Sequence, residues 1–197
     1  PIVGGTVPLA VGTALASKLK GEKAISISYL GDGAIEEGIV HESLNLARVN
    51  NCPVIFVVEN NLFSSHLNIK LRQPKELTYR FAKANDIESK VLDGNNLTSI
   101  CKTGKEFVRR CRDGEGPFFI EAITYRWFGH VDWREDIDVG INRSSEDLIF
   151  WKKRDPILRL KKSLLKKNYF EENHFMNLEK NIQREIDNAW MDALGGS

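Results

Sequence analysis

Two periods of apolar spacing take turns along this chain. Val7 to Lys20 is rich in small residues (Ala10, Gly12, Ala14, Ala16, Ser17), with Pro8 in its first turn, and predicts a helix that approaches a neighbour closely. Ala24 to Leu30 is a short apolar run that predicts a buried strand. From Glu36 to Asn50 the apolar positions Ile39, Val40, Leu44, Leu46, Ala47 and Val49 return at helical spacing. Pro53 to Val58 is almost continuously apolar and β-branched, the pattern of a strand covered on both faces. Strand, helix and strand so close together predict a parallel, right-handed βαβ unit.

The alternation continues. Leu62 to Pro74 has no clear period and predicts a loop. Leu77 to Ala84 predicts a short helix, and Lys90 to Leu92 a short strand stopped by the turn signal Asp93-Gly94-Asn95-Asn96. Leu97 to Arg112 predicts a helix, and Gly116-Pro117 opens a strand from Phe118 to Arg126. Gly129 to Ser145 then predicts a polar, charge-rich loop. Helices are expected from Asp155-Pro156 to Lys167 and from Glu172 to Leu194. The expected fold class is α/β: a mostly parallel sheet with helices on both faces over residues 1–145, and a helical carboxy-terminal extension over 146–197 that packs on it or on a partner subunit.

Composition narrows this picture little. The chain has 197 residues, 42% of them hydrophobic, and a formal net charge of +1, which argues against bulk nucleic-acid binding. Cys52, Cys101 and Cys111 form no C-x-x-C pair, so neither a zinc site nor a disulfide framework is indicated. A reducing compartment is expected, bacterial cytoplasm or organelle matrix. No apolar run is long enough for a membrane helix, and no signal peptide is seen. The apolar, Gly-rich start Pro1-Ile2-Val3-Gly4-Gly5 lacks an initiator Met and suggests a fragment whose upstream part is missing.

The chemistry collects at two strand ends. Gly31-Asp32-Gly33 closes the first strand run, and Glu59-Asn60-Asn61 closes the second. Ligands of parallel sheets bind beyond the carboxyl ends of the strands. There Asp32 offers a hard carboxylate oxygen and Asn61 an amide oxygen, donors suited to magnesium shared with a diphosphate. The flanking glycines let the backbone approach phosphate, and the following helix can direct free N–H groups at the anion. Each motif alone is an ordinary turn. Together, on one βαβ unit, they point to a cofactor site.

The GDG and NN motifs resemble the thiamine diphosphate motif. The alpha subunit of 2-oxo acid dehydrogenases of the pyruvate, branched-chain and acetoin class is the closer resemblance, over essentially the whole chain. Its amino-terminal pattern appears as Ile2-Val3-Gly4-Gly5-Thr6-Val7-Pro8-Leu9-Ala10-Val11-Gly12, its T-Y-R-x-x-G-H loop as Thr124 to His130, and its D-P-I helix start as Asp155-Pro156-Ile157. The resemblance implies the thiamine diphosphate-binding fold and that fold's diphosphate-binding domain. It implies thiamine diphosphate and Mg2+ as cofactors, with Asp32, the Asn61 side chain and the Phe63 carbonyl on the metal. Gly31 and Gly33 would bring the backbone near the diphosphate, and Gly33 and Ala34 would donate N–H groups to it. The Val3 backbone would lie against the aminopyrimidine ring. His130, the candidate catalytic residue, would reach the diphosphate from a loop bordering the active-site channel. His41, His66 and His174 match no motif and are left structural or superficial.

The implied reaction is oxidative decarboxylation of a small 2-oxo acid with acyl transfer to a lipoyl group. The implied partners are a beta subunit, supplying the pyrimidine-binding domain and the activating Glu, and a lipoyl-bearing acyltransferase, with a heterotetramer as the family's assembly. Nucleic acid and membrane are not expected partners. Phe63 stands where the family often has Tyr, Phe128 where many members have His, and Val131 where many have Ser. The loop Asp132 to Val139 departs from the usual S-x-S-D-P-G, which leaves the substrate open. Two alternatives stay open: a split transketolase-like carbon–carbon transferase subunit, and an inactive cofactor-domain fragment.

Overall fold

A computed structural model describes residues 3–131, 133–134 and 143–195. Pro1, Ile2 and most of the unusual loop from Asp132 to Val139 lie outside the described residues. The chain divides into two compact units, Pro1–Arg154 and Asp155–Ser197.

The first unit is built on a four-stranded parallel sheet. Its strands are β1 (Ser26–Gly31), β2 (Val54–Asn60), β5 (Glu88–Asp93) and β6 (Phe118–Ile123), in the order β1-β2-β6-β5. A two-stranded antiparallel hairpin, β3 (Phe63–Ser64) and β4 (Leu67–Asn68), follows β2. The expected α/β class and the parallel βαβ unit are present, with α2 (Gly38–Val49) as the crossover between adjacent strands.

Alternation along β2 explains its apolar run. Val54, Phe56 and Val58 face one side, where Leu30 and Phe119 join Val7, Val11 and Ala14 of α1 (Thr6–Leu19) and Val40, Leu44 and Ala47 of α2. Ile55 faces the other side with Phe118 and Ile120, under Phe107 and Cys111 of α4 (Leu97–Arg112). The rings of Phe107 and Phe118 stack at 4.4 Å there. Helices thus cover both faces, and β2 is buried on both, as its sequence predicts.

β1 differs from expectation. Ser28 and Leu30 are buried, but Ile27 is 42% and Tyr29 63% exposed. The physical reason is position: β1 is an edge strand, and α4 packs mainly over β2, β5 and β6. The region expected as a loop after β2 contains the β3–β4 hairpin and a 3₁₀ turn at Ile69–Leu71. The segment expected to be a helical extension opens with a separate helix, α5 (Ser145–Lys152), which carries Leu148 and Trp151 into a small apolar cluster with Phe63 and Tyr125. The short helix α3 (Tyr79–Lys83) precedes β5.

The second unit holds α6 (Pro156–Lys166) and α7 (Glu172–Gly195). Asp155 caps α6 by accepting from the Ile157 and Leu158 amides at 2.7 and 3.1 Å, with Pro156 in the first turn. Lys161 of α6 pairs with Glu172 of α7 at 2.6 Å. No helix among the described residues is long and apolar enough to cross a membrane.

Candidate functional site

The register pairs Gly31 with Glu59, so the residues just beyond, Asp32 and Asn60, leave adjacent strand ends at the same level. The Gly31-Asp32-Gly33 turn runs into a 3₁₀ turn at Ala34–Glu36, closed by Glu36 N–H to Gly33 O at 3.2 Å and Glu37 N–H to Ala34 O at 3.1 Å. The first N–H groups of such a turn find no partner within it, which leaves Gly33 and Ala34 as available donors. Asp32 itself is 1% exposed.

The two carboxylate oxygens of Asp32 have different fates. Oδ2 accepts from Arg72, which also donates to Glu36. Oδ1 is buried without a hydrogen-bond partner. An unpaired buried carboxylate oxygen is costly and fits a ligand-facing atom.

At the neighbouring strand end, two asparagines in succession make two successive turns. Asn60 Oδ1 accepts from the Leu62 amide at 3.1 Å, and Asn61 Oδ1 from the Phe63 amide at 3.0 Å. Between them they hold Leu62 at φ +70°, a conformation bulky residues rarely adopt. The Asn61 amide oxygen, with two lone pairs, can accept a second partner. Asn60 is wholly buried, and its Nδ2 donates to Glu76 O at 2.9 Å and to Glu121 Oε1 at 2.7 Å.

Glu121 is the keystone beneath these turns. Also wholly buried, its carboxylate accepts from Asn60 and from the amides of Thr78 and Tyr79 at 2.8 and 2.9 Å. A buried carboxylate is tolerated only when donors of this kind surround it. Sequence reasoning missed Glu121, although a lone acid inside the apolar run Phe118 to Ile123 is a legible anomaly. It also missed Arg72, for which no local signal exists.

The β3–β4 hairpin joins the strand ends to the remaining candidate segments. A Cβ added to Gly33 would collide with Ser64 Oγ and lie 2.7 Å from Ser64 Cβ, so the hairpin sits directly on the Gly-Asp-Gly turn. By contrast, a Cβ at Gly31 would meet nothing within 4 Å. Arg126 donates to Ser65 O at 3.2 Å and to Phe128 O at 2.8 Å, and Tyr125 meets Phe63 edge-on at 6.1 Å. The Tyr125–Phe128 segment is thereby tied to the hairpin. Arg143, which sequence reasoning also missed, is buried over the Tyr125 ring and donates to Phe128 O at 3.2 Å. His130, at the end of this segment, is exposed.

Val3 reaches the same neighbourhood through Gly4, whose amide donates to Glu37 Oε1 at 2.9 Å. A Cβ at Gly4 would fall 2.7 Å from that oxygen, so a larger residue there would move the Glu37 carboxylate. The Val3 carbonyl accepts from Thr6 Oγ1 at 2.9 Å. The structure therefore brings together Asp32, Gly33, Ala34, Asn61 and Phe63, with Gly31 at the end of β1. It attaches Val3 through Glu37 and the His130 segment through Arg126. No cluster of three or more His, Cys, Asp or Glu suited to a metal exists among the described residues. The donor set at the strand ends is one carboxylate plus neutral oxygens, which suits a hard cation that shares its shell with phosphate and water.

The three cysteines are free thiols, with Cys52 and Cys111 buried and Cys101 exposed. Burial raises the Cys52 thiol above its ordinary range and pushes Cys111 up to about 12. Neither belongs to the site.

Over residues 1–194 the chain matches the dehydrogenase E1 component family. It is 32% identical, over 189 residues, to the alpha subunit of acetoin:2,6-dichlorophenolindophenol oxidoreductase of Bacillus subtilis (strain 168), covering 95% of this chain and 55% of that protein. It is 30% identical to the pyruvate dehydrogenase E1 component subunit alpha of Rickettsia bellii (strain RML369-C), covering 95% and 56%. To the same subunit of Acholeplasma laidlawii it is 31% identical, covering 96% and 54%. The chain thus spans about half the length of the curated relatives it matches.

Proposed function

This chain belongs to the dehydrogenase E1 component family, and from that membership we propose that it forms the diphosphate- and magnesium-binding part of the alpha subunit of a thiamine diphosphate-dependent 2-oxo acid dehydrogenase. The observation that carries the reading is Asp32 Oδ1, a buried carboxylate oxygen without a partner, at a strand end beside the paired asparagines. In this reading Asp32, the Asn61 amide oxygen and the Phe63 carbonyl hold Mg2+. The Gly33 and Ala34 amides and His130 hold the diphosphate, and the Val3 backbone borders the aminopyrimidine.

When bound, thiamine diphosphate supplies the nucleophilic carbon and the electron sink for decarboxylating a small 2-oxo acid. This chain's residues do the positioning. Glu121 fixes Asn60 and so the direction in which Asn61 leaves β2. Ser64 seats the hairpin on Gly33, which sets the spacing between the two strand-end turns. The acid that handles the aminopyrimidine proton comes from a beta subunit, and the acyl group passes to a lipoyl-bearing acyltransferase. Residues 1–145 carry the cofactor site; within 146–197, α5 packs on Phe63 and Tyr125 of that domain, and α6 and α7 form a helical extension that packs on it or on a partner subunit.

Calorimetry with thiamine diphosphate and Mg2+ tests the reading. The chain alone is expected to bind weakly and to turn nothing over, and a beta subunit to strengthen binding. Asp32→Ala is expected to remove the Mg2+-dependent part of the affinity. Unchanged affinity in that variant refutes the metal site, and decarboxylation by the chain alone refutes the shared site.

A further inference from the structure

Arg72 sits where the proposed metal must act. Its side chain is 9% exposed and its guanidinium spans two acids of one turn, Asp32 through Oδ2 and Glu36 through Oε1. It also approaches the Asp32 carbonyl at 3.4 Å and donates from Nε to Leu67 O at 3.3 Å. So the planar fork is anchored on the β4 side and aimed at the metal-facing carboxylate. A guanidinium on Oδ2 and a divalent cation on Oδ1 would share one carboxylate, and in a buried setting their charges repel.

We infer that Arg72 couples metal binding to diphosphate binding: it neutralises Asp32 and Glu36 until both ligands arrive, then, as the cation takes Asp32 Oδ1, releases Oδ2 and turns its freed N–H donors to the diphosphate while keeping Glu36. This rests on the thiamine diphosphate reading of the site. The charges explain the coupling. A cation arriving alone at the open Asp32 Oδ1 meets the guanidinium held on Oδ2 of the same carboxylate, and nothing then offsets their repulsion. A diphosphate accepts those freed donors, and Arg forks suit phosphate oxygens. Glu36 is the hinge of the exchange, because it holds Arg72 in place whichever partner takes the other edge of the fork. The device makes metal loading conditional on the anion, so the site fills with both ligands or stays closed by its own arginine.

The test is a binding cycle on the full chain by titration calorimetry, with Mn2+ as the metal probe, in the absence and presence of saturating thiamine diphosphate. In the native chain the diphosphate is expected to tighten Mn2+ roughly tenfold or more. Arg72→Gln is expected to bind Mn2+ alone about tenfold more tightly and to reduce the coupling to about threefold or less. Arg72→Lys, whose compact ammonium keeps the charge but lacks the planar fork that suits carboxylate and phosphate oxygens bidentately, is expected to move the same way by less. It decides the question by itself if the Gln variant does not fold, as judged by circular dichroism. An unchanged coupling in folded variants overturns the inference, because a merely fixed positive charge would alter each affinity separately and leave their coupling intact. Asp32→Asn separates the two levels. Loss of Mn2+ binding in that variant together with unchanged coupling in the Arg72 variants refutes the arginine exchange but leaves the metal site. Retained Mn2+ binding in Asp32→Asn refutes the metal site and the exchange with it.

Discussion

Glu121 accepts a 2.7 Å hydrogen bond from Asn60 Nδ2, and neither residue has measurable exposure. The carboxylate also serves the Thr78 and Tyr79 amides, so truncation strands several buried donors at once. Glu121→Ala is expected to lose about 2–5 kcal/mol of stability, read from urea unfolding, and Glu121→Gln less because it keeps one acceptor. A Glu121→Ala variant as stable as the native chain would remove the keystone role assigned to it.

The two asparagines are expected to separate stability from binding. Asn60 is wholly buried and bonded at both ends of its amide, whereas Asn61 is only half-buried, with its oxygen on the Phe63 amide. Asn60→Ala should lower the unfolding midpoint strongly. Asn61→Ala should lower it little while weakening Mg2+-dependent thiamine diphosphate binding about tenfold or more. Equal effects on both measurements for both variants would contradict the division of labour.

Gly33 is required by Ser64. Gly33→Ala is expected to push the hairpin off the turn, costing about 1–3 kcal/mol of stability and weakening cofactor binding. Adding Ser64→Gly should restore much of both, since it deletes the colliding atoms. Gly31→Ala, with open space around its new methyl, should be nearly neutral for stability. Melting temperatures of the four chains decide the matter.

Alkaline stability is tied to the buried thiols. Burial pushes the Cys111 thiol from the ordinary 9.0 of an exposed thiol up to about 12 in the folded chain. The unfolded chain therefore releases its proton first as pH rises. The contribution to stability is full below pH 9 and is lost between about 9 and 12. Unfolding free energies measured from pH 8 to 11 should fall with pH, and Cys111→Ala should flatten the decline, with Cys52 keeping a slope of the same sign. At pH 8, alkylating reagents should modify Cys101 alone in the folded chain.

What the sequence made legible was local. The helix Leu97–Arg112 is legible to the residue, because every apolar position of α4 lies within a few turns of the next. One crossover puts the two motifs on neighbouring or near-neighbouring strand ends, and the β1–β2 pairing makes them neighbours. The hairpin was not seen, since strands of two residues carry no period. Within the helical 146–197 stretch the bounds of α5 are not legible, because Leu148, Ile149, Phe150 and Trp151 are contiguous rather than spaced by a turn. Its cap was readable, however: Ser144 Oγ accepts from the Asp147 amide at 3.0 Å, with acids filling the first turn. Arg72 and Asp32 lie 40 positions apart, and Glu121 lies 61 from Asn60. Pairings of that span follow from topology, which no window of sequence contains.

The strand order has a consequence for how the molecule is made. β6 is the last strand of the described sheet in the chain and stands between β2 and β5, which precede it. While the chain emerges from the ribosome, β2 keeps one edge open until Phe118–Ile123 are available to pair with it. Closing the sheet therefore waits on contacts distant in sequence, the slow kind. The same event delivers Glu121 to Asn60, so maturation of the ligand-facing strand end is timed by insertion of the central strand rather than by formation of its own turn.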